Sequence, residues 1–179
     1  MRIAVLSDIH DNIWKLDVAL KAVVTCDAMI CCGDLCSPFI IAQLGRGFAG
    51  PIHIVFGNND ADLFRITSKA REFPHVLLRG EYFEETFDGR KVAVNHFDNI
   101  AKALAAGEQH DVVFYGHNHV FEIRPFGKTL AVNPGSIMGC QFDKDAKPIA
   151  VESSFVIYDT GSGVAEGYVI SGAGSVRRI

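Results

Sequence analysis

Short apolar runs alternate with amphipathic stretches over the first part of the chain, and this alternation predicts strands followed by helices. The predicted strands are residues 2–6, 28–32 and 51–56, and the predicted helices are residues 13–24, 38–44 and 62–73. Asn12 is placed to cap the first helix, and Pro38 is placed to begin the second. Gly45 and Gly47 are expected to end that second helix.

The later part of the chain has a different pattern, in which pairs of strands meet at turns. The predicted hairpins join residues 82–87 with 91–95, 120–125 with 129–132, and 154–159 with 165–170, and residues 111–115 form a further strand. The first hairpin turns at Asp88-Gly89, a typical turn sequence. Asp98 or Asn99 is a candidate cap for a helix that runs to Ala106. The polar segment 141–153 is expected to form a loop.

Strand–helix alternation that gives way to hairpins predicts an α/β protein whose parallel sheet has antiparallel additions. We find no repeat, linker or low-complexity tract, so residues 1–179 are predicted to form one domain. Hydrophobic residues make up 49% of the chain and charged residues 21%, a composition typical of folded proteins rather than disordered ones.

The charge and the cysteines limit the classes of partner and compartment. The net charge of -4 provides no basic field for non-specific nucleic-acid binding. The apolar run at residues 2–6 is too short for a signal peptide or a membrane span, which predicts a cytoplasmic protein. The five cysteines contain no CxxC pair and are interpreted as reduced thiols, with a zinc site built from them as the alternative. The oligomeric state stays open, with a homo-oligomer among the options.

Side chains able to bind metal ions follow five of the predicted strands. They occur in Asp8-Ile9-His10, Gly33-Asp34, Gly57-Asn58-Asn59-Asp60, His96 and Gly116-His117-Asn118-His119. Parallel sheets bind their ligands just beyond the carboxyl ends of the strands. Since glycine permits sharp turns at three of these strand ends, the side chains are expected to converge on one edge of the fold.

Taken singly, these residues have ordinary explanations. An aspartate after a strand is a common helix cap, and a lone histidine is more often structural than a metal ligand. The pair His117 and His119 is more specific, because two histidines in one loop can bind one ion or reach two. Their joint occurrence at successive strand ends favours a metal site. His53, His75 and His110 lie elsewhere in the pattern and are interpreted as structural or surface residues.

The ordered set resembles the motifs of the calcineurin-like metallophosphoesterases. Asn133-Pro134-Gly135-Ser136 is typical of the small, single-domain prokaryotic branch of that family, which contains phosphodiesterases and phosphatases. The resemblance implies a four-layer α/β/β/α sandwich with mixed sheets and a dinuclear metal centre. It implies that Asp8, His10 and His119 bind one ion, that Asn58, His96 and His117 bind the other, and that Asp34 bridges both.

The implied function is metal-dependent hydrolysis of phosphate esters of small molecules, above all diesters, with a metal-bound hydroxide as nucleophile. Asp34, Asn58 and His96 are the expected catalytic residues. Carboxylate, amide and imidazole ligands suit manganese, iron, zinc or nickel, and manganese is the metal we expect. Two ions can clamp a phosphoryl group, and the ligated centre keeps a charge of about +1 that attracts an anionic ester. The alternatives are a non-catalytic scaffold with this fold and a metal-binding regulatory protein.

Three positions depart from the family pattern. Asn59 stands where the family often has a histidine that can protonate the leaving group, and Phe97 stands where it usually has glycine. Residues 137–141 lack the Pro-Arg pair that often follows the last motif. The first departure predicts slow release of poor leaving groups. Asn12, Asn59 and Asp60 are expected to orient the ligands through hydrogen bonds or to contact the substrate.

Overall fold

In the computed structural model, which describes residues 1–179, fourteen strands form three sheets and four helices pack on the two larger ones. The helices are α1 (Ile13–Ala22), α2 (Pro38–Gly47), α3 (Leu63–Ala70) and α4 (Asp98–Ala106). The first seven strands are β1 (Arg2–Leu6), β2 (Ala28–Cys31), β3 (Ile52–Ile54), β4 (Val76–Leu78), β5 (Tyr82–Phe87), β6 (Arg90–Asn95) and β7 (Val112–Phe114). The others are β8 (Glu122–Phe126), β9 (Thr129–Asn133), β10 (Cys140–Phe142), β11 (Pro148–Ala150), β12 (Ser153–Asp159), β13 (Val164–Ile170) and β14 (Val176–Arg178).

The seven-stranded sheet has the strand order β14-β13-β12-β1-β2-β3-β4. Strands β1 to β4 run parallel, since α1, α2 and α3 connect them by crossovers. Strands β12 to β14 extend the other side of β1 as an antiparallel meander. The parallel half therefore presents the carboxyl ends of β1, β2 and β3 at one edge of the sheet.

The five-stranded sheet has the strand order β5-β6-β7-β9-β8. Its central strands β6, β7 and β9 run parallel, and α4 connects β6 to β7. Ala101 and Ala105 of α4 pack on the outer face of this sheet with Ala93, Val113 and Tyr115. None of the four helices is long and apolar enough to cross a membrane.

Alternation along β1 shows how the two sheets share a core. Ala4 and Leu6 pack with the apolar faces of α1, α2 and α3, whereas Ile3 and Val5 pack with side chains of the five-stranded sheet. All four side chains are fully buried, so β1 is covered on both faces. The layers follow in the order helices, sheet, sheet, helix. The predicted four-layer α/β/β/α sandwich with mixed sheets is confirmed.

Of the two glycines expected to end α2, Gly45 lies inside the helix and Gly47 is its last residue. A Cβ atom at Gly45 would come within 2.5 Å of the Phe73 ring, and one at Gly47 would come within 2.6 Å of Leu20. Both glycines allow α2 to pack closely against its neighbours, so the prediction that Gly45 ends the helix was wrong, whereas Gly47 does stand at its end. The helix ends where Phe48 takes up an extended backbone.

Helix caps follow the sequence pattern in α1 but not in α4. Asn12 caps α1, since its Oδ1 accepts a hydrogen bond from the third residue of the helix at 3.1 Å. Helix α4 begins directly after Phe97, and neither Asp98 nor Asn99 caps it, so that prediction was wrong. The Oδ1 of Asn95 instead accepts a hydrogen bond from the Phe97 N–H at 2.9 Å, which fixes the chain between β6 and α4.

The segment 141–153, expected to be a loop, contains a hairpin in which β10 pairs with β11. The expectation was wrong because most side chains of these two strands are exposed, so no alternation of apolar and polar residues marks them. The three-residue strands β4 and β14 were not predicted either. Such short strands offer too few positions for a periodic pattern.

Candidate metal centre

All seven predicted ligands lie at the carboxyl ends of parallel strands, where the edges of the two large sheets meet. The first sheet supplies residues after β1, β2 and β3, and the second supplies residues after β6 and β7. The seven residues are Asp8, His10, Asp34, Asn58, His96, His117 and His119. His117 and Asn58 are exposed, whereas Asp8, Asp34 and His96 are buried, so the cluster is open on one side.

The backbone is left-handed at five of these residues, although none of them is glycine. The φ angles are 51° at Asp8, 42° at His10, 56° at Asp34, 73° at His117 and 59° at His119. Residues other than glycine seldom adopt this conformation, and it persists only where the surrounding structure enforces it. The sharp chain reversals turn successive side chains toward one point instead of letting them alternate.

Asp8, His10 and His119 form the first trio. Their ligand atoms all lie within 4.8 Å of one another. The Oδ1 of Asp8 is 3.2 Å from Nε2 of His119 and 3.8 Å from Nε2 of His10. One small cation could therefore contact all three atoms.

Asn58, His96 and His117 form the second trio. The Oδ1 of Asn58 is 3.0 Å from Nε2 of His96 and 2.9 Å from Nδ1 of His117. Adjacent ligands of an octahedral ion, each bound at about 2.1 Å, are about 3 Å apart. The spacing of this trio therefore suits one ion.

Asp34 lies between the two trios. Its Oδ2 is 3.3 Å from Nε2 of His10 in the first trio and 3.5 Å from Nε2 of His96 in the second. It also falls in a second group of possible ligands with Asp8 and His96. A carboxylate in this position can reach a cation on either side.

Two buried polar atoms of the cluster have no hydrogen-bond partner in the protein. They are Oδ1 of Asp8 and Nε2 of His10, and both point toward the neighbouring ligand atoms. Buried polar groups without a partner are costly and uncommon in folded proteins. A divalent cation between these atoms would satisfy both, so the residues present fit a metal ion.

The electrostatics keep the carboxylates of the cluster ionised. Burial opposes the charge on Asp8, but the close approach of the His10 and His119 rings lowers the pKa of its carboxyl to about 2. Burial likewise opposes the charge on Asp34, yet the close approach of the His10 and His96 rings holds the pKa of this carboxyl far below its ordinary value. Both groups are therefore available as anionic ligands at neutral pH.

Protons and cations compete for the histidines, which leads to an expected pH dependence. Although burial disfavours the imidazolium, contacts with Asp34 and Asp8 raise the pKa of His10 to about 12 when no cation is bound. A cation must displace that proton, so metal affinity should rise with pH through neutrality, and binding should release protons. Calorimetric titration in two buffers with different ionisation enthalpies measures this release. Identical heats in both buffers would contradict it.

Two of the ligand histidines are oriented by main-chain carbonyls. Nδ1 of His96 donates to the carbonyl of Cys32 at 2.7 Å, and Nδ1 of His119 donates to the carbonyl of Cys140 at 2.5 Å. A carbonyl can only accept, so each ring carries its hydrogen on Nδ1 and presents Nε2 to the centre. These partners could not be found from residue identities, because the groups belong to the main chain.

Asp60 holds the loops that carry Asp34 and Asn58. Its Oδ1 accepts hydrogen bonds from the N–H groups of Leu35 and Cys36 at 2.7 and 2.9 Å. Its Oδ2 accepts from the N–H groups of Asp34 and Gly57 at 3.0 and 2.8 Å. One buried carboxylate thus ties together the turns that follow β2 and β3.

Replacing Asp60 with asparagine should destabilise the metal-free protein by about 2–6 kcal/mol, since two of the four N–H groups would face an amide NH₂. The loss should appear in urea unfolding, accompanied by weaker metal binding. Asp17→Asn is a matched control, because Asp17 is exposed and pairs only with Lys21. Equal stability of the two variants would show that the Asp60 carboxylate is not needed.

Asn59 and Asn12 make different contacts. The main-chain N–H and the side-chain Nδ2 of Asn59 donate to Oδ1 and Oδ2 of Asp34, both at 2.8 Å. Asn12 caps α1 and donates from Nδ2 to the carbonyl of Met138 at 3.0 Å. Its side chain forms no hydrogen bond with a ligand side chain, and its connection to Asp8 runs through the main chain of Met138, whose N–H donates to the Asp8 carbonyl.

The Asn133-Pro134-Gly135-Ser136 motif supports the centre from behind. Nδ2 of Asn133 donates to the Gly116 carbonyl and to Oδ1 of Asn118, both at 2.9 Å. The hydroxyl of Ser136 donates to the Asp8 carbonyl at 3.1 Å. The sequence marked this segment as a motif but gave it no role. The signal for such a role was its position at the carboxyl end of β9, at the same sheet edge as the ligands.

Phe97 lies against the second trio without straining the chain. Its backbone is ordinary, with φ -79° and ψ 129°. Its ring is 5.3 Å from the ring of His96 and 5.0 Å from that of His117, and it is half-buried. Glycine is therefore not required at this position, and the aromatic ring forms one wall of the opening.

The three histidines expected to be structural or surface residues contact none of the seven. Nδ1 of His53 pairs with Arg79, His75 pairs with the Gly45 carbonyl, and His110 pairs with Glu84. All five cysteines are free thiols. They form no cluster with metal-ligand spacing, because the groups of possible ligands contain only aspartate and histidine.

Comparison with known proteins places the chain in a wider group. A family model for the calcineurin-like phosphoesterase superfamily domain matches residues 1–161. A search of curated protein sequences gives no significant match. Among solved structures, an archaeal phosphodiesterase superposes with a TM-score of 0.82 at 22% identity, covering 94% of this chain and 99% of that one.

Two further solved structures have the same fold. The phosphoesterase Yfce from E. coli superposes with a TM-score of 0.63 at 19% identity, covering 100% of this chain and 98% of that one. A zinc complex of Vps29 from Entamoeba histolytica superposes with a TM-score of 0.71 at 18% identity, covering 100% and 97%. At these identities the likeness concerns the fold alone.

Proposed function

The chain belongs to the calcineurin-like phosphoesterase superfamily, and we propose that it is a metal-dependent hydrolase of phosphate esters, above all of small-molecule diesters. The observation that carries the proposal is the position of Asp34, whose Oδ2 faces one histidine of each trio at 3.3 and 3.5 Å. The likeness to an archaeal phosphodiesterase and to the phosphoesterase Yfce supports the same class of reaction.

Two divalent ions would be held by the seven ligands. Asp8, His10 and His119 would hold one, Asn58, His96 and His117 the other, and Asp34 would contact both. Such a pair of ions lowers the pKa of water and neutralises charge on the phosphoryl oxygens. The mixture of nitrogen and oxygen ligands, with no thiolate among them, favours manganese, with iron, zinc and nickel as alternatives.

The charge around the centre supports a diester substrate. No lysine or arginine forms an ion pair or hydrogen bond with any of the seven ligands. The single negative charge of a diester would neutralise a centre of about +1, whereas the double charge of a monoester would leave a negative charge that no lysine or arginine in contact with the ligands balances. The exposed edge at Asn58, Asn59 and His117 is the side from which such an ester can approach.

The residues of the chain have separable tasks in this proposal. Asp34 holds both halves of the centre together, and the two N–H groups of Asn59 fix the orientation of its carboxylate. His96 and Asn58 present their ligand atoms 3.0 Å apart at the open side. Phe97 shields the rings of His96 and His117 from water on one flank.

A substrate screen tests the proposal. The metal-free protein would be loaded with manganese and assayed against bis(4-nitrophenyl) phosphate, 4-nitrophenyl phosphate and cyclic nucleotides. We expect the diester to be hydrolysed with a higher kcat/KM than the monoester, and chelation to abolish the reaction. Binding of metal without turnover of any ester would instead favour a non-catalytic scaffold, and a single ion per chain would favour a metal-binding regulatory protein.

The proposal also covers the cellular compartment and the oligomeric state of the protein. Five free thiols, three of them buried, suit a reducing compartment, so we place the activity in the cytoplasm. Residues 1–179 would act as one domain on a small-molecule ester, without non-specific nucleic-acid binding. Size-exclusion chromatography with light scattering would show whether the chain forms a homo-oligomer.

A further inference from the structure

Three histidines of the proposed centre have a hydrogen-bond partner on the far side of the ring, and one of these partners is a thiol. His96 and His119 face the main-chain carbonyls of Cys32 and Cys140. Nδ1 of His10 instead lies 3.5 Å from Sγ of Cys36. We propose that Cys36 is a positioning residue that directs His10 toward the metal ion, an inference that rests on the proposed metal-binding function.

The conformation of Cys36 supports a specific task for this side chain. Its φ angle of 76° is left-handed, which a residue with a Cβ seldom adopts. Asp60 holds this conformation, because its Oδ1 accepts hydrogen bonds from the N–H groups of both Leu35 and Cys36. A strained residue in a firmly held turn is typical of functional sites. Here the turn brings the thiol to the His10 ring.

The ring nitrogen of His10 that faces the cluster indicates the role of its contact with Cys36. Nε2 of His10 is buried, has no hydrogen-bond partner and lies 3.3 Å from the Asp34 carboxylate. When Nε2 binds a cation, the ring must keep its hydrogen on Nδ1, and that hydrogen needs an acceptor. Sγ of Cys36 is the acceptor within range. Ligand histidines are commonly oriented by such a partner.

A thiol differs from a carbonyl in this role. A carbonyl oxygen is a strong acceptor and never a donor, whereas a thiol is a weak acceptor and can also donate. The ring orientations of His96 and His119 are therefore fixed by their partners, while that of His10 is held more loosely. Within the first trio, the contribution of His10 to metal affinity therefore depends on the side chain of Cys36, which can be changed by mutation.

Four variants test the proposal through metal affinity, measured by calorimetric titration of the metal-free protein with zinc. Cys36→Ala removes the acceptor and should weaken one site about 10- to 100-fold, the usual cost of losing such a partner. Cys36→Ser keeps a group that accepts a hydrogen bond and should restore affinity. Cys26→Ala is the matched control, because Cys26 is a free thiol just before the amino end of β2, away from the ligands at the carboxyl ends of the strands, and it should bind zinc normally.

Cys36→Gly separates the thiol from the backbone. Glycine adopts a φ of 76° without strain, so this variant should be no less stable than the unmutated protein in urea unfolding. It should nevertheless bind zinc as weakly as Cys36→Ala. Normal affinity in Cys36→Gly would overturn the proposal, since the defect of the alanine variant would then come from the backbone.

The ring hydrogens give a second measurement that does not depend on activity. In the zinc-loaded protein, NMR should detect slowly exchanging Nδ1–H signals from His10, His96 and His119. Cys36→Ala should remove or broaden the His10 signal and leave the other two, and Cys36→Ser should restore it. Retention of all three signals together with full affinity in Cys36→Ala would overturn the inference. If the unmutated protein bound no metal, the proposed function itself would fail instead.

Discussion

Exchanging Asp34 for asparagine should lower metal content and activity together. The neutral amide attracts cations poorly, and its NH₂ group would face one of the two N–H groups of Asn59 that now donate to the carboxylate. Because Asp34 faces both trios, we expect kcat/KM to fall by more than the roughly 10- to 100-fold that follows loss of an outer partner. Metal analysis after extensive dialysis and kcat/KM for an aryl diester measure the two effects.

Asp62→Asn is a suitable control for that variant. Asp62 caps α3 and pairs with Arg65, and asparagine caps a helix equally well. The control should keep its metal and its activity. An Asp34→Asn protein that kept two ions per chain and near-normal turnover would show that Asp34 is not the bridge.

The rate of hydrolysis should depend steeply on the leaving group. General acid catalysis contributes about 10²–10⁴-fold, and Asn59 cannot transfer a proton at neutral pH. One Nδ2 hydrogen of Asn59 is donated to Asp34, and the other can at most be donated to a departing oxygen in a hydrogen bond, without being transferred. Nitrophenyl diesters, whose leaving groups need no proton, should therefore react well, and alkyl diesters poorly. The measurement is kcat/KM across a series of aryl and alkyl diesters.

Asn59→His should raise the alkyl-to-nitrophenyl ratio of kcat/KM. The ratio within each protein is the informative quantity, because losing the hydrogen bond to Asp34 would slow both reactions alike. Gln109→His adds a histidine far from the centre, at the amino end of β7, and should leave the ratio unchanged. A flat series for the unmutated protein would mean that another group supplies the proton.

The layered fold and the gathering of the ligands could be anticipated because they depend on pattern and chain order. Apolar runs such as β1 and β2 are buried on both faces, and burial leaves a signal in the sequence. The polar residues after them face one edge because parallel strands must end together. The exposed hairpin of β10 and β11 left no such signal, and its place beside His119 was not foreseen.

The supporting contacts were harder to anticipate for a different reason. His96 and His119 are oriented by main-chain carbonyls, which every residue carries. The identities of Cys32 and Cys140 therefore give no indication that these residues orient a ligand. The thiol of Cys36 belongs to no motif, and only the turn held by Asp60 brings it to His10. Gly45 misled the assignment of a helix end because close packing and helix termination favour the same residue.

Each trio draws its members from both large sheets. Asp8 and His10 follow β1 of the first sheet while His119 follows β7 of the second, and Asn58 likewise meets its two partners from across the interface. Neither half of the chain, expressed alone, would carry a complete set of ligands. An ion bound in either trio would thus link the two halves and stabilise their association. If the chain were divided between β4 and β5, neither fragment alone would bind metal tightly. Tight binding should return when the two fragments are mixed and associate, so metal binding would measure their association.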